Sequence, residues 1–341
     1  MPETVAGITF NDDGVCNFCQ NWQKEKYLGK EALEQIIVAS KKPDNQYDCI
    51  VPISGGRDST YVLYLARTML NLKVLAVHYD NEFKTDQAVI NIERACKKLN
   101  VDLLTIRSKR DIARKIVKSN LRSSVLRKLF RVCHACTYGF MSAAYRTAEQ
   151  YRVPLILWGD SQQERASPLA VKAGRCLKLR KSRPLTFLNP NYYKAKYYLF
   201  RQKLEFPVRG NYCLRRFPKP KNKDIKEVHI FNYIPWNRSQ IKKTIMEELG
   251  WEKPAGFVST WRTDCKLTPF VNYCFFRMYG CSKACFGYCL MINSGQMSRQ
   301  EALKQEEEML ATIAQDSKQI RNLLENEIGL SRKETDRILS Y

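Results

Sequence analysis

No stretch of 18 or more apolar residues occurs in the 341-residue chain, so it offers nothing long enough to cross a bilayer as a helix. Its start, Met-Pro-Glu-Thr-Val-Ala-Gly, lacks the basic-then-apolar layout of a secretory signal, and the cytoplasm is the expected compartment. Acidic side chains are scarce, 34 against 57 Lys and Arg, which leaves a net charge of +23. Internal repeats and low-complexity tracts are absent, and so is the Gly-Lys pair of a Walker A loop. Disorder is excluded by a hydrophobic share of 44% and an aromatic share of 11%. Thirteen cysteines without a secretory signal point to metal sites, reactive thiols or small buried residues before disulfides.

The positive charge is concentrated. From Lys172 to Lys226 there are 17 Lys or Arg against Glu205 and Asp224, and from Arg107 to Arg131 ten against Asp111 alone. Such a field attracts an anion: RNA, a nucleotide-linked sugar, an acidic partner or a membrane surface. A solvated basic insertion is the plainer alternative.

What the chain does have is a strand, a glycine turn and a helix start in immediate succession. The apolar segment Asp48–Ile53 runs into Ser54-Gly55-Gly56-Arg57-Asp58-Ser59, and Ser59–Leu70 then reads as a helix. Glycines let successive N–H groups converge on one phosphate at the positive end of a helix dipole. Ser54, Ser59 and Thr60 add hydroxyls, Arg57 a cationic clamp and Asp58 a carboxylate suited to magnesium. The hexapeptide resembles the Ser-Gly-Gly-x-Asp-Ser loop of the PP-loop ATP pyrophosphatases, which split ATP into AMP and pyrophosphate to adenylate a substrate oxygen.

Around this loop the pattern alternates. Strands are predicted over Lys73–Tyr79, Val101–Ile106, Pro154–Trp158 and Val228–Ile234. Helices are predicted over Trp22–Ser40, Thr85–Leu99, Lys109–Phe130, Ala135–Tyr151 and Asn237–Leu249, with capping boxes at Ser298/Glu301 and Ser331/Glu334. The expected fold is α/β, a doubly wound parallel sheet with a short cysteine-bearing head and a helical C-terminal region. The expected divisions are 1–46 (head and linker), 47–160 (ATP-binding α/β domain), 161–235 (basic insertion or lid returning to the sheet) and 236–341 (helical). Polar chemistry is expected at the strand ends, which carry Ser54–Ser59, His78-Tyr79-Asp80 and Gly159-Asp160.

Cysteine spacing adds candidate metal ligands. Cys16 and Cys19 form a C-x-x-C knuckle that reaches one tetrahedral metal but does not close the site alone. Cys133-His134-Ala135-Cys136 precedes a helix amid Arg and Lys, where thiols are expected to ionise easily and to bind metal or carry sulfur. Cys265 is a third candidate. Cys281, Cys285 and Cys289, four residues apart, read as core, and Cys49 and Cys96 as structural.

The chain is similar to the N-acetyl sugar amidotransferase family, the LPS and pseudaminic-acid biosynthesis branch of the PP-loop ATPases. The resemblance rests on Met1–Phe10, Asp13-Gly-Val-Cys16-Asn-Phe-Cys19, Tyr47–Ser59, Cys133–Cys136, Ile156–Asp160 with Glu164, and Ile292–Leu303. It implies that ATP adenylates the oxygen of a sugar acetamido group and that ammonia displaces AMP to leave an acetamidine. Pyrophosphate would rest on Ser54, Gly55, Gly56 and Ser59, with Asp58 and Asp160 on magnesium. Backbone near His78 to Asp80 would meet adenine or ribose, and His134 and Glu164 would handle protons. The acceptor would be an N-acetylated sugar or nucleotide sugar. Ammonia would come free or from a separate glutaminase with its channelling subunit. Family members carry a further C-x-x-C before the Met-Pro. Its absence implies either a start further upstream, with a zinc ribbon (Zn2+) half present, or a lost site.

A tRNA-thiolating enzyme on the same core is the rival. Cys133, Cys136 and Cys265 would hold a metal or a [4Fe-4S] cluster, and Tyr192, Tyr193, Tyr197, Tyr198 and Phe200 would stack on bases. A non-catalytic protein that binds nucleotide or RNA is the third reading.

Overall fold

Five parallel strands form the sheet of this computed structural model, which describes residues 1–5, 7–107, 111–122, 131–161 and 224–340. They are β1 (Cys49–Ile53), β2 (Val74–Asp80), β3 (Asp102–Arg107), β4 (Leu155–Trp158) and β5 (Lys226–His229). Their spatial order is β3-β2-β1-β4-β5. Side chains alternate between the two faces, as the two-residue period of a strand requires. Val51, Ile53, Val74, Ala76, Leu155 and Leu157 enter one apolar core. Ile50, Leu75, Val77, Ile156 and Trp158 enter the other. A sheet buried on both faces needs helices on both, which is the doubly wound arrangement expected.

The helices begin in the head with α1 (Asn17–Gln20) and α2 (Lys30–Ser40). Next come α3 (Arg57–Tyr64), α4 (Asp86–Leu99), α5 (Ile112–Arg122) and α6 (His134–Gln150). The C-terminal part adds α7 (Arg238–Leu249), α8 (Thr268–Tyr279), α9 (Ala284–Asn293), α10 (Arg299–Gln315), α11 (Ser317–Asn322) and α12 (Arg332–Leu339). Residues of α3, α4 and α7 cover the first face, joined by Tyr288 and Met291 of α9 and Met309 and Ile313 of α10. Ala143, Ala144, Tyr145 and Ala148 of α6 cover the other. The C-terminal helices thus share the core of the sheet rather than standing apart from it. The linker is tied in too: Leu28 and Gly29 donate to the Asn232 and Tyr233 carbonyls at 2.9 and 3.1 Å.

Several elements differ in detail from expectation. The predicted helix over Ser59–Leu70 starts two residues earlier and ends as a π-helical turn over Leu65–Met69. Val228–Ile234 divides into the end of β5 and a 3-10 turn, Ile230–Asn232. Ser331 and Glu334 form the full reciprocal capping box, whereas Ser298 accepts from the Glu301 N–H as a one-sided cap. Most of the basic insertion, including the tyrosine cluster, and much of the helix expected over Lys109–Phe130 lie outside the described residues.

Pro52 sits inside a central strand, where a proline is unusual because it lacks an N–H. In a parallel sheet, Pro52 and Ile50 turn their hydrogen-bonding edge to the same neighbour. Ile50 pairs with Ile156 of β4, and β1 and β4 pair in register only there. The order of the sheet reverses at the same place, between β1 and β4. Ligands of open α/β sheets lie beyond the carboxyl ends of the strands at such a switch point. Ser54 follows β1 there, and Gly159 and Asp160 follow β4.

Candidate active site

The turn after β1 owes its shape to Gly55, whose φ is +79°. A Cβ at this position would lie 2.2 Å from the Ala88 carbonyl oxygen of α4, so only glycine fits without moving backbone. Trp251 Nε1 donates to the Gly55 carbonyl at 2.9 Å and fixes the turn from outside. Within it, the Ser59 hydroxyl lies 3.2 Å from both the Ser54 N–H and the Ser54 hydroxyl. Gly56 N–H donates to Ser54 Oγ at 3.3 Å. No side chain caps the start of α3 at Gly56. The first N–H groups of α3 therefore keep their capacity to bind an anion, supported by the helix dipole.

The loop opens on a cavity of about 480 Å3, whose lining includes Ser54, Gly56, Ser59, Tyr79, Asn81, Lys84, Gly159, Asp160, His229, Asp264 and all three of Cys133, Cys136 and Cys265. Three stretches of sequence, around residues 54, 133 and 265, thus meet in one space.

Arg57 and Asp58 line the same cavity and also bind each other. Arg57 is 3% exposed, its guanidinium over the rings of Trp236 and Trp261 at 5.0 and 5.5 Å. Its Nε and Nη2 each donate to Asp58 at 2.9 Å, and its Nη1 donates to Thr260 at 3.1 Å. Asp58 Oδ1 also accepts from Trp236 Nε1 at 3.0 Å. The pair fastens the start of α3 to the segment carrying Trp236 and Thr260.

Lys84 is a further cation at the turn. Its side chain is 8% exposed, with Nζ 3.0 Å from Asp264 Oδ2 and 3.2 Å from the Ser54 carbonyl. Burial disfavours the Lys84 ammonium, but Asp264, Cys136 and Cys265 beside it more than offset that and raise its pKa. Burial likewise works against the Asp264 carboxylate, which Lys84 and a hydrogen bond with Ser54 nevertheless hold below the usual range. Both partners are charged. Cys136 behaves otherwise than expected: burial pushes its thiol up, with Lys84 opposing only in part, and burial pushes Cys265 up as well. The helix start and its basic neighbours do not overcome desolvation.

At the strand ends, Tyr79 lines the cavity and packs its ring on Gly139, where a Cβ would lie 2.2 Å away. His78 is buried, with Nδ1 3.1 Å from the Ile53 carbonyl, and Asp80 is tied to Arg107 at 2.7 Å; neither lines the cavity. Gly159 lets β4 approach α3, a Cβ there lying 3.2 Å from the Asp58 carbonyl. Asp160 Oδ1 and His229 Nδ1 are 2.6 Å apart. Glu164 and the side chain of His134, the expected proton handlers, lie outside the described part of the structure. Cys16 and Cys19 stand in the head, with sulfurs 3.5 Å apart.

Sequence reasoning missed Lys84, Asp264, His229 and Asn81. A signal existed for two of them: Lys84 follows the end of β2, and Asp264 adjoins Cys265. His229 closes a strand whose register the sequence left open. Among the described residues, no group of three or more His, Cys, Asp or Glu is arranged to hold a metal ion as it stands. No helix among them is long and apolar enough to cross a membrane.

No protein-family model matches the chain. An uncharacterised protein of Methanocaldococcus jannaschii is 30% identical over 109 residues, which is 30% of this chain and 39% of that relative. Solved structures with partial likeness include the NMN synthetase of Francisella tularensis (TM-score 0.40, 12% identity, 88% of this chain and 96% of that one). The U34-tRNA thiolase of Methanococcus maripaludis with its [4Fe-4S] cluster gives a TM-score of 0.40 at 11% identity, over 83% of this chain and 79% of that one. The NH3-dependent NAD synthetase of Campylobacter jejuni gives 0.31 at 20% identity, over 39% of this chain and 56% of that one. The chain therefore spans about two fifths of its curated relative and little over half of that NAD synthetase.

Proposed function

We propose that the chain is an ATP pyrophosphatase that adenylates the acetamido oxygen of an N-acetylated sugar and lets ammonia replace it, leaving an acetamidine. The observation that carries the ATP assignment is the Ser54–Ser59 turn, with an uncapped helix start opening on a cavity at the switch point. The choice of acceptor comes from the resemblance of the head and loop segments to the sugar amidotransferases.

In this reading the acceptor oxygen attacks the α-phosphorus, and the bond from that phosphorus to the pyrophosphate oxygen breaks. Pyrophosphate stays on the N–H groups of the turn, with the Ser54 and Ser59 hydroxyls and the Lys84 charge nearby. Ammonia adds to the activated carbon, AMP leaves with the former acetamido oxygen, and the surplus ammonia proton passes to the Asp160–His229 pair. Asp160, about one-third exposed, is the carboxylate best placed to meet magnesium, which would neutralise phosphate charge when ATP binds.

A second reading, thiolation of a tRNA base, is favoured by one observation: Cys133, Cys136 and Cys265 line the same cavity as the turn.

The test is pyrophosphate release from ATP by anaerobically purified protein, in two arms. One supplies N-acetylated nucleotide sugars or nonulosonic acids with ammonia, the other bulk tRNA with sulfide. Sugar-dependent release supports the amidotransferase reading; release that only tRNA stimulates replaces it with thiolation.

A further inference from the structure

Beyond the phosphate turn the cavity extends across the sheet towards its edge strand. In register, β4 and β5 pair Ile156 with Glu227 and Trp158 with His229. Paired residues of parallel strands turn their side chains to one face, and Ile156 and Trp158 belong to the core on the α6 side. Glu227 and His229 share that face, while Val228 between them enters the opposite core. Trp158, Glu227 and His229, with Phe140 and Met141 of α6, line this part of the cavity.

Glu227 stands out among these residues. A parallel strand covered by a helix carries apolar side chains towards that helix, yet here a carboxylate stands beside Ile156. Its geometry is fixed: the Tyr145 hydroxyl of α6 donates to Oε2 at 2.7 Å, and Trp158 Nε1 donates to the same oxygen at 3.0 Å. Bracing α6 against β5 uses that one oxygen. Among the described residues nothing donates to Oε1, and Glu227 is exposed and lines the cavity, so this second oxygen is open to a ligand. The wall around it is aromatic. Trp158 packs edge-on against Phe140 and Tyr145, with ring centroids 5.9 and 6.2 Å apart, which holds the indole in place. An apolar wall with a few oriented polar groups is the usual make-up of a small-molecule site, in which the polar groups set orientation and specificity. A carboxylate oxygen so held accepts from O–H or N–H groups and repels phosphate.

We propose that Glu227 is the specificity-determining residue of the acceptor subsite: its Oε1 accepts a hydrogen bond from a ring hydroxyl of the N-acetylated sugar, whose apolar face lies on Trp158 and Phe140. The inference rests on the proposed reaction for the identity of the acceptor. Its position follows from the strand order β1-β4-β5, which sets the phosphate turn after β1 and the subsite over β4 and β5. The acetamido group then falls between them, beside the Asp160–His229 pair that takes the surplus proton. A nucleotide sugar fits with its hydroxylated ring towards Glu227 and its phosphates directed away from that carboxylate.

The test compares the full chain with Glu227→Gln and Glu227→Ala. The Gln amide oxygen still accepts from Tyr145 and Trp158, so Tm is expected to stay within about 2 °C of the parent while a donor replaces Oε1. Binding is read without turnover, by saturation-transfer NMR and titration with methyl N-acetylglucosaminide, a neutral hydroxylated amide. The parent chain is expected to transfer saturation to the ring and acetamido protons, and affinity is expected to fall about tenfold or more in both variants. Turnover is read separately. The acceptor KM of Glu227→Gln is expected to rise by the same factor, with kcat and the KM for ATP changed by less than about twofold. Unchanged affinity and acceptor KM overturn the proposal and leave the reaction standing. Binding that depends on Glu227 without pyrophosphate release overturns the reaction and leaves the subsite standing. Loss in Glu227→Ala with full affinity in Glu227→Gln marks Glu227 as a brace for α6 only, and no binding of the probe by the parent removes the subsite; either overturns the proposal.

Discussion

Replacing Asp264 by Asn would leave the Lys84 ammonium buried without its counter-ion. Lys84 is 8% exposed and Asp264 20%, with 3.0 Å between Nζ and Oδ2. Breaking a fully buried pair by removing one partner costs ~3–5 kcal/mol. Because Asp264 keeps contact with solvent, the lower end applies, about 3 kcal/mol. At roughly 2.1 cal/mol/K per residue, a chain of this length loses about 4 °C in Tm for that amount. The double variant Lys84→Met/Asp264→Leu removes both charges and keeps the volume, so its Tm is expected to return to within about 1–2 °C of the parent. The loss in Asp264→Asn should also shrink as pH rises. An unpaired buried lysine has its pKa lowered, the unfolded chain then binds more protons than the folded one, and stability grows with pH until lysine deprotonates in both states. Thermal denaturation followed by circular dichroism reads all three. A double variant as unstable as the single one would refute the argument, because the deficit would then not come from an uncompensated charge.

Three further outcomes follow from the same geometry. Gly55→Ala places a Cβ against the Ala88 carbonyl at a φ of +79°, and should weaken ATP binding by about tenfold or more, or ~1.4 kcal/mol, in titration calorimetry. Arg57→Lys loses the fork to Asp58 and the stacking on Trp236 and Trp261; urea denaturation should show a loss of about 2 kcal/mol. Burial, with Lys84 nearby, holds His78 below its ordinary pKa of 6.5. Its contribution is therefore intact above pH 6.5 and lost as pH falls towards the folded value, since only the unfolded chain takes up the proton. His78→Gln should flatten the acid side of the stability–pH curve, which denaturation across buffers will show.

The centre of the sheet was legible because β1, β2 and β4 are buried on both faces. Runs such as Ile50–Ile53 and Leu155–Trp158 are apolar without interruption, and each ends in a polar turn at the carboxyl end. Thr85 and Asn237 cap their helices through their own side chains, a signal that local sequence carries in full. The contacts of Arg57 and Asp58 were not legible. Their partners, Trp236 and Thr260, lie some 180 and 200 residues away in sequence. The same holds for Cys136: neighbouring Lys and Arg in sequence suggested easy ionisation, while the desolvation that prevails there is a property of the assembled cavity.

The central claim concerns which bond of ATP is broken. Incubation of the chain with ATP labelled at the α-phosphate, magnesium and the two acceptor mixtures, followed by separation of the nucleotides, tests it directly. The account predicts labelled AMP and an equal amount of pyrophosphate, both reduced about tenfold or more in Gly55→Ala at limiting ATP. Labelled ADP with inorganic phosphate would contradict it.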